Sequence, residues 1–535
     1  MKNTTAILSM LHEDATRNSA TRLFRGEPVL RWTLKRLAGA KRVESTAVIC
    51  WEDQLDAVAR EAGSAFVLAK GPRKALPELD AVTAARRWSD GWRGGLLGTC
   101  DFDLGFYAPW FNELAVKVES DAVLLIDPSS ALVDPAVLDG LVAHAGSHPD
   151  SELCFVPAAP GLGGALLRGN LLARLAAAKT HCGRLLHYLP DQHSREPLAG
   201  DMCAPVPASV ARTTHRFKLD SDRQIARLGA AMHCLNGQLI SSGAEELVHR
   251  SHAWEAPDRL PREVTLELNT DRATRPIWWA GSYHALARPP MSLDMARMVI
   301  EELATLDDTR LTIAGVGDPL LCETLFDVLN LIPGDGSIST HVETDFFGAD
   351  PEAIRRLAAS PVAVVSVHLP ATGPRVYEQI MGAAGLERVT AAVGEFIAAR
   401  AGRTAPILVP TFMKCRQNLG EMEAWYDQWL RAVGCAVLRG PSDFAGQIPG
   451  VAVADMSPPR RKPCARIASR MTILSDGKVV SCEQDVLGRQ ALGQVGRGSL
   501  ADVWQKQFTD LRRDHREGNL GQRPLCGNCR EWHRV

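Results

Sequence analysis

The chain has 535 residues, with 60 basic and 62 acidic side chains and a formal net charge of −2. Such a balance offers no whole-protein attraction for nucleic acid or an acidic membrane surface. The length exceeds what one hydrophobic core can organise, so two to four domains are expected, and a 46% share of hydrophobic residues can fill them.

The first apolar run, Ala6–Leu11, is cut off by His12-Glu13-Asp14, too brief and too poorly flanked for a signal peptide. No uncharged run approaches the length of a membrane span. Nine of the 13 cysteines are scattered without pairing rhythm, as in a reducing compartment. A soluble, cytoplasmic protein is expected. Boundaries fall near Val248–Pro261 and Ile448–Lys462, which gives domains at 1–247, 262–450 and 451–535.

Residues 1–247 alternate apolar runs with helical patterns. Strands are predicted at Thr5–Leu11, Ser45–Cys50, Ser64–Leu68, Ala122–Ile126 and Glu152–Val156. Helices are predicted at Val29–Leu37, started by Pro28, at Gln54–Glu61, and at Pro135–Ala145 with Asp134 as N-cap. This order argues for an open α/β sheet. Three features stand out: Gly26-Glu27-Pro28-Val29-Leu30, Asp127 at a strand end, and Leu219-Asp220-Ser221-Asp222. Together they resemble the nucleotidyltransferase fold of the cytidylyltransferase type, related to GT-A glycosyltransferases. The resemblance implies Mg²⁺ on Asp127 and Asp220, phosphate contacts from Arg17 and Arg22, and a sugar-nucleotide ligand. The loop after the first strand departs from that pattern. Between Met10 and Asn18 it has no glycine and carries Glu13 and Asp14, whose charges oppose a triphosphate. The expectation is a fold kept for binding or architecture, with nucleotidyl or glycosyl transfer as the alternative.

The alternation resumes at 262–450. Strands are predicted at Val264–Leu268, Arg310–Ala314, Ser337–Val342, Val362–His368 and Pro406–Pro410. Helices are predicted at Leu293–Leu306, Glu323–Leu331, Glu352–Ala358, Val376–Met381, Glu387–Arg400 and Glu421–Val433. Ser292 and Asp350 are N-caps by pattern, and Asn418-Leu419-Gly420-Glu421 has the spacing of a capping box. Repeated units of this size make a full or partial (β/α) barrel. Gly315-Val316-Gly317-Asp318 reads either as a tight strand-to-helix turn or as backbone approaching a ligand.

In the tail, Cys464 is followed by twelve residues, Gly477, four residues and Cys482, and later by Cys526-Gly527-Asn528-Cys529. Asp476-Gly477 between two extended runs is a hairpin signal that folds Arg470–Leu474 against Lys478–Cys482. Four thiolates brought to one centre mean a metal site, either an iron–sulfur cluster or zinc. The seventeen residues between the first two cysteines fit a zinc ribbon less well than two short knuckles would.

With Gly493, Ser499-Leu500, Trp504 and Leu511-Arg512, this spacing resembles the SPASM domain, the auxiliary-cluster extension of many radical S-adenosylmethionine (SAM) enzymes, from Pro463 to Trp532. The resemblance implies a [4Fe-4S] cluster on Cys464, Cys482, Cys526 and Cys529. The preceding barrel then looks like a radical SAM core, in which Glu267 ends the first strand and Gly315, Gly317 and Asp318 match the segment that meets SAM. That family places Cys-x(3)-Cys-x(2)-Cys after the first strand. Here those positions are Arg272, Pro276 and Trp279, none able to ligate iron, and no other segment holds three cysteines so closely spaced. The expectation is an iron–sulfur protein without the SAM-cleaving cluster, acting in binding, scaffolding or electron relay beside a peptide, protein or sugar-nucleotide ligand. A SAM-binding, non-radical enzyme is a further alternative.

Overall fold

All six residues of β1 (Thr4–Ser9) are buried, as expected of a central parallel strand covered on both faces. The computed structural model, which describes residues 3–192, 196–252 and 258–534, divides into two compact units between residues 256 and 257. In the first unit a two-residue ribbon, β2 (Leu23–Phe24) against β3 (Glu27–Pro28), feeds the helix Val29–Leu37. Gly26 makes its turn with φ +81°, which favours glycine. β4 (Ser45–Cys50), β5 (Phe66–Ala69) and β6 (Ala122–Ile126) lie parallel around β1. β7 (Leu153–Phe155) and β8 (Ala165–Arg168) close the sheet antiparallel, in the order β5-β4-β1-β6-β8-β7.

Alternate residues of these strands serve two cores. Ala6, Leu8, Leu124 and Ile126 enter one apolar cluster, and Ile7, Val123 and Leu125 enter another. That division is the packing of a sheet with helices on both sides. Asp134 caps the helix Pro135–Ser147 by accepting the Ala136 N–H at 2.8 Å. Its other oxygen takes the Ala244 N–H at 2.6 Å and ties in the helix Ala244–His252.

The second unit is built on a nine-stranded sheet. β9 (Glu263–Leu266), β10 (Thr309–Ile313), β11 (Ile338–Thr344), β12 (Val364–His368), β13 (Ile407–Met413) and β14 (Val437–Arg439) are parallel and adjacent in chain order. Helices lie between successive strands. This is the connectivity of one arc of a (β/α) barrel. On the free edge of β9 the tail adds β15 (Arg470–Ile473), parallel to it, then β16 (Lys478–Val480) and β17 (Ala491–Gln494), both antiparallel. The stretches 262–450 and 451–535 therefore share one sheet.

One face of this sheet is apolar. Leu266, Ile313, Val342, Val367 and Ile473 join a single core. The opposite face carries polar positions on β10, β11 and β12, and His341 bridges these three strands: its Nδ1 is 3.4 Å from Thr312 Oγ1 and its Nε2 2.8 Å from Ser366 Oγ. Ser292 and Asp350 cap their helices, accepting the N–H groups of Met295 at 3.3 Å and Ala353 at 2.7 Å. Asn418 does not cap. Its oxygen accepts the Cys415 N–H at 2.8 Å and its amide donates to Pro370 at 2.7 Å and Met413 at 2.9 Å, so it pins two loops while a short 3₁₀ turn starts the helix. Among the described residues no helix is long and apolar enough to cross a membrane.

Candidate functional site

The four cysteines of the tail stand on separate elements. Cys464 precedes the turn Arg466–Ala468 that leads into β15, and Cys482 lies just past β16. Cys526 sits in the short helix Pro524–Asn528, and Cys529 ends it. Cys482 and Cys526 are buried, and Cys464 and Cys529 are half-buried. The thiols act on one another electrically. Burial, then Cys464 and Cys529, push Cys526 up to about 12; burial and Cys464 raise Cys529 to about 11; Cys526 adds to the larger effect of burial at Cys482. Arg461 anchors the knuckle, donating to the backbone oxygens of Cys526 at 2.6 Å and Cys529 at 3.3 Å. The Glu531 N–H donates to Cys529 Sγ at 3.2 Å. Four soft donors, with a backbone N–H turned toward one sulfur, fit a thiolate-ligated metal or cluster. His533 faces the backbone oxygen of Arg530 instead.

The barrel mouth differs. Arg272 makes a bidentate ion pair with Asp345, at 2.7 and 2.8 Å, and both side chains are at least 93% buried. Thr274 Oγ1 and His368 Nδ1, the latter at 3.0 Å, meet the same carboxylate. The guanidinium lies 4.5 Å from the ring centre of Trp279, whose indole N–H donates to Val316 at 2.8 Å. Burial alone would raise Asp345, but Arg272 and His368 together hold it far below the usual carboxylate range. The side chain of Trp278 joins the core.

Gly315 and Gly317 are required by crowding at the end of β9. A Cβ on Gly315 would lie 2.4 Å from Glu267 Cγ, and one on Gly317 would lie 1.8 Å from Asn269 Oδ1. Glu267 takes Arg288 through both oxygens at 2.8 Å, the Val316 N–H at 3.0 Å and the Ser475 N–H at 3.2 Å. Asp318 accepts the N–H groups of Leu320 and Asp345 and the Thr344 hydroxyl, at 2.9–3.0 Å. The Asp318 carboxylate is thus bonded within the chain's own turns.

Residues 464–530 match the family described as SPASM, an iron-sulfur cluster-binding domain. This tail is SPASM-like. The chain is also 29% identical over 320 residues to an "Uncharacterized protein" of Treponema pallidum (strain Nichols), covering 55% of this chain and 82% of that one. It is 24% identical over 228 residues to "S-adenosyl-L-methionine-dependent 2-deoxy-scyllo-inosamine dehydrogenase" of Niallia circulans, covering 40% and 81%. Among solved structures, BtrN in complex with AdoMet and 2-DOIA aligns with a TM-score of 0.35 at 19% identity, over 50% of this chain and 93% of that chain. Streptococcus suis SuiB bound to precursor peptide SuiA aligns with a TM-score of 0.41 at 13% identity, over 72% and 84%.

Apart from the SPASM-like tail and its barrel, the first unit has a strand-end site of its own. Asp127 follows β6 and meets the fully buried Lys218, whose Nζ is 3.0 Å from Asp127 and 2.8 Å from Asp101. The Ser129 N–H adds 2.9 Å and His12 Nε2 lies 3.7 Å away. Burial would raise Asp127, yet Lys218, His12 and Ser129 keep it well below the usual range. Asp220 is held through both oxygens by Arg216. Each carboxylate expected to hold Mg²⁺ therefore already has a cation of the chain, and the metal does not fit. Arg17 and Arg22 both pair with Asp222, at 2.7 and 2.6 Å, instead of presenting two charges to a triphosphate. Sequence reasoning missed Lys218 and Asp101. The only signal was a lone lysine between Phe217 and Leu219.

Proposed function

We propose that this is an iron–sulfur protein of radical SAM/SPASM-like build that does not cleave SAM, and that it serves binding, scaffolding or electron relay. Cys464, Cys482, Cys526 and Cys529 are its cluster ligands. The observation that carries the reading is the contrast within one unit: four thiols gathered in the tail, and Arg272 locked on Asp345 where the related enzymes place the first of three cysteines. When bound, a [4Fe-4S] cluster supplies a one-electron redox centre. The chain's own contribution is to fix the knuckle through Arg461 and to donate the Glu531 N–H to Cys529 Sγ. Its ligand is a small polar molecule or a peptide. The similarity to a protein named for its action on an inosamine favours that ligand class. The first unit enters as a binding or architectural fold, because its strand-end acids are satisfied by lysine and arginine.

Anaerobic purification with iron, sulfide and zinc analysis tests this reading. About four irons and four sulfides per chain are expected. Reduction in the presence of SAM is expected to release no 5′-deoxyadenosine. Zinc in the tail without sulfide, or 5′-deoxyadenosine at a rate above the blank, would overturn it.

A further inference from the structure

The first unit holds a second group of metal-ligating side chains, remote in sequence from the tail and outside the ion pairs of Asp127. Cys100 immediately precedes the turn Asp101–Asp103, and Cys182 opens the turn Cys182–Leu185. The ligand atoms of Cys100, Asp103 and Cys182 lie within 4.8 Å of one another, and these residues are 1%, 0% and 0% exposed. His181 places Nδ1 3.0 Å from the Asp103 carboxylate.

The carboxylate is held in two different ways. The backbone N–H groups of Cys100 and Gly183 donate to it at 2.8 and 3.0 Å and fix its position. Two further contacts come from the Cys182 thiol, at 2.9 Å, and His181. Thiol and imidazole are both groups that ligate metals, and each would give up that hydrogen bond to a cation. Gly183 is part of the cradle, since a Cβ there would lie 2.3 Å from Asp103 Oδ2. Metal–ligand bonds of about 2.0–2.3 Å put tetrahedral ligand atoms roughly 3.5 Å apart, so small side-chain adjustments gather this set.

We propose that Cys100, Asp103, Cys182 and His181 bind one zinc ion that staples the two turns. Two thiolates, an imidazole and a carboxylate form the mixed donor set that zinc accepts, and a closed four-ligand shell in a buried place is structural. Binding releases the two thiol protons to solvent and leaves no redox change.

The full native chain is the sample, dialysed against Zn²⁺ and then against buffer. About one zinc per chain is expected in addition to any iron. Zinc-edge X-ray absorption is expected to show two sulfur neighbours at about 2.3 Å and two nitrogen or oxygen neighbours at about 2.0–2.1 Å. Cys182→Ser is expected to lose that zinc while keeping its iron, which reports that the second unit has folded, and to keep the far-ultraviolet circular dichroism of the unsubstituted chain, which reports on the first. No retained zinc, an all-sulfur shell, or a Cys100–Cys182 disulfide in non-reduced peptides would overturn the proposal. The absorption spectrum needs no variant, so a Cys182→Ser chain that fails to fold leaves that arm decisive. Zinc bound to the tail in place of iron gives the all-sulfur shell and is told apart by neighbour type.

Discussion

At the barrel mouth the carboxylate of Asp345 is met by Arg272 at 2.7 and 2.8 Å, with Thr274 and His368 completing its bonds. In the tail of the same unit, burial and then Cys464 and Cys529 raise Cys526, and Arg466 beside them is engaged by Glu483 and Glu531. One site carries its own counter-charge and is closed to an external cation. The other gathers donors that disfavour one another's ionisation, which a bound metal would relieve. The strand-end site of the first unit belongs with the closed kind: Lys218 stands between Asp101 and Asp127 as an immobile cation.

The largest expected effect lies in the tail. Replacing Cys526 and Cys529 with alanine should take iron from about four per chain to none; iron retained in that variant would break the contrast. Next is the mouth. Arg272→Ala leaves Asp345 buried without its partner and should cost about 3–5 kcal/mol in denaturant unfolding, whereas Arg272→Met combined with Asp345→Asn should recover most of that loss. A third test converts a closed site into an open one. Lys218→Met should let Mg²⁺ raise the thermal midpoint by about 2–4 °C, a gain of roughly 1 kcal/mol, with no shift in the unsubstituted chain.

The smallest effect concerns Glu13, which burial and then Asp127 push up to about 8, well above the ordinary carboxyl range. Its folded-state carboxyl keeps a proton that the unfolded chain has lost. The stability it contributes is therefore complete below pH about 4.5 and is lost as pH rises through about 8. The side chain is only partly shielded from solvent, so the slope should fall short of the one-proton limit of about 1.4 kcal/mol per pH unit. Glu13→Gln should flatten it in unfolding measured across that range.

Local structure was legible where a few neighbouring residues decide it. Ser45–Cys50, Ala122–Ile126 and Val29–Leu37 occur with the expected bounds, because unbroken apolar runs and Pro28 mark them directly. Ser292, Asp134 and Asp350 cap as their spacing implies. β14 escaped notice because it has three residues, two of them exposed, and its place in the sheet is set by β13 and not by its own pattern. β8 and β17 were missed too: each is only four residues long. In the candidate sites, the thiols of the tail could be read from spacing, whereas the closing partners could not. Asp345 is 73 residues from Arg272, and Lys218 is 91 from Asp127. Pairings at that range depend on how parallel strands align, which periodicity does not encode.

β15 lies against β9 from Arg470↔Glu263 to Ile473↔Leu266, and the Ser475 N–H reaches Glu267. A chain cut before Pro463 would strip the first strand of the barrel of its neighbour and leave a bare parallel edge able to recruit other molecules. The carboxyl-terminal extension is thus an integral wall of the barrel, and shortened versions meant to isolate the barrel should precipitate.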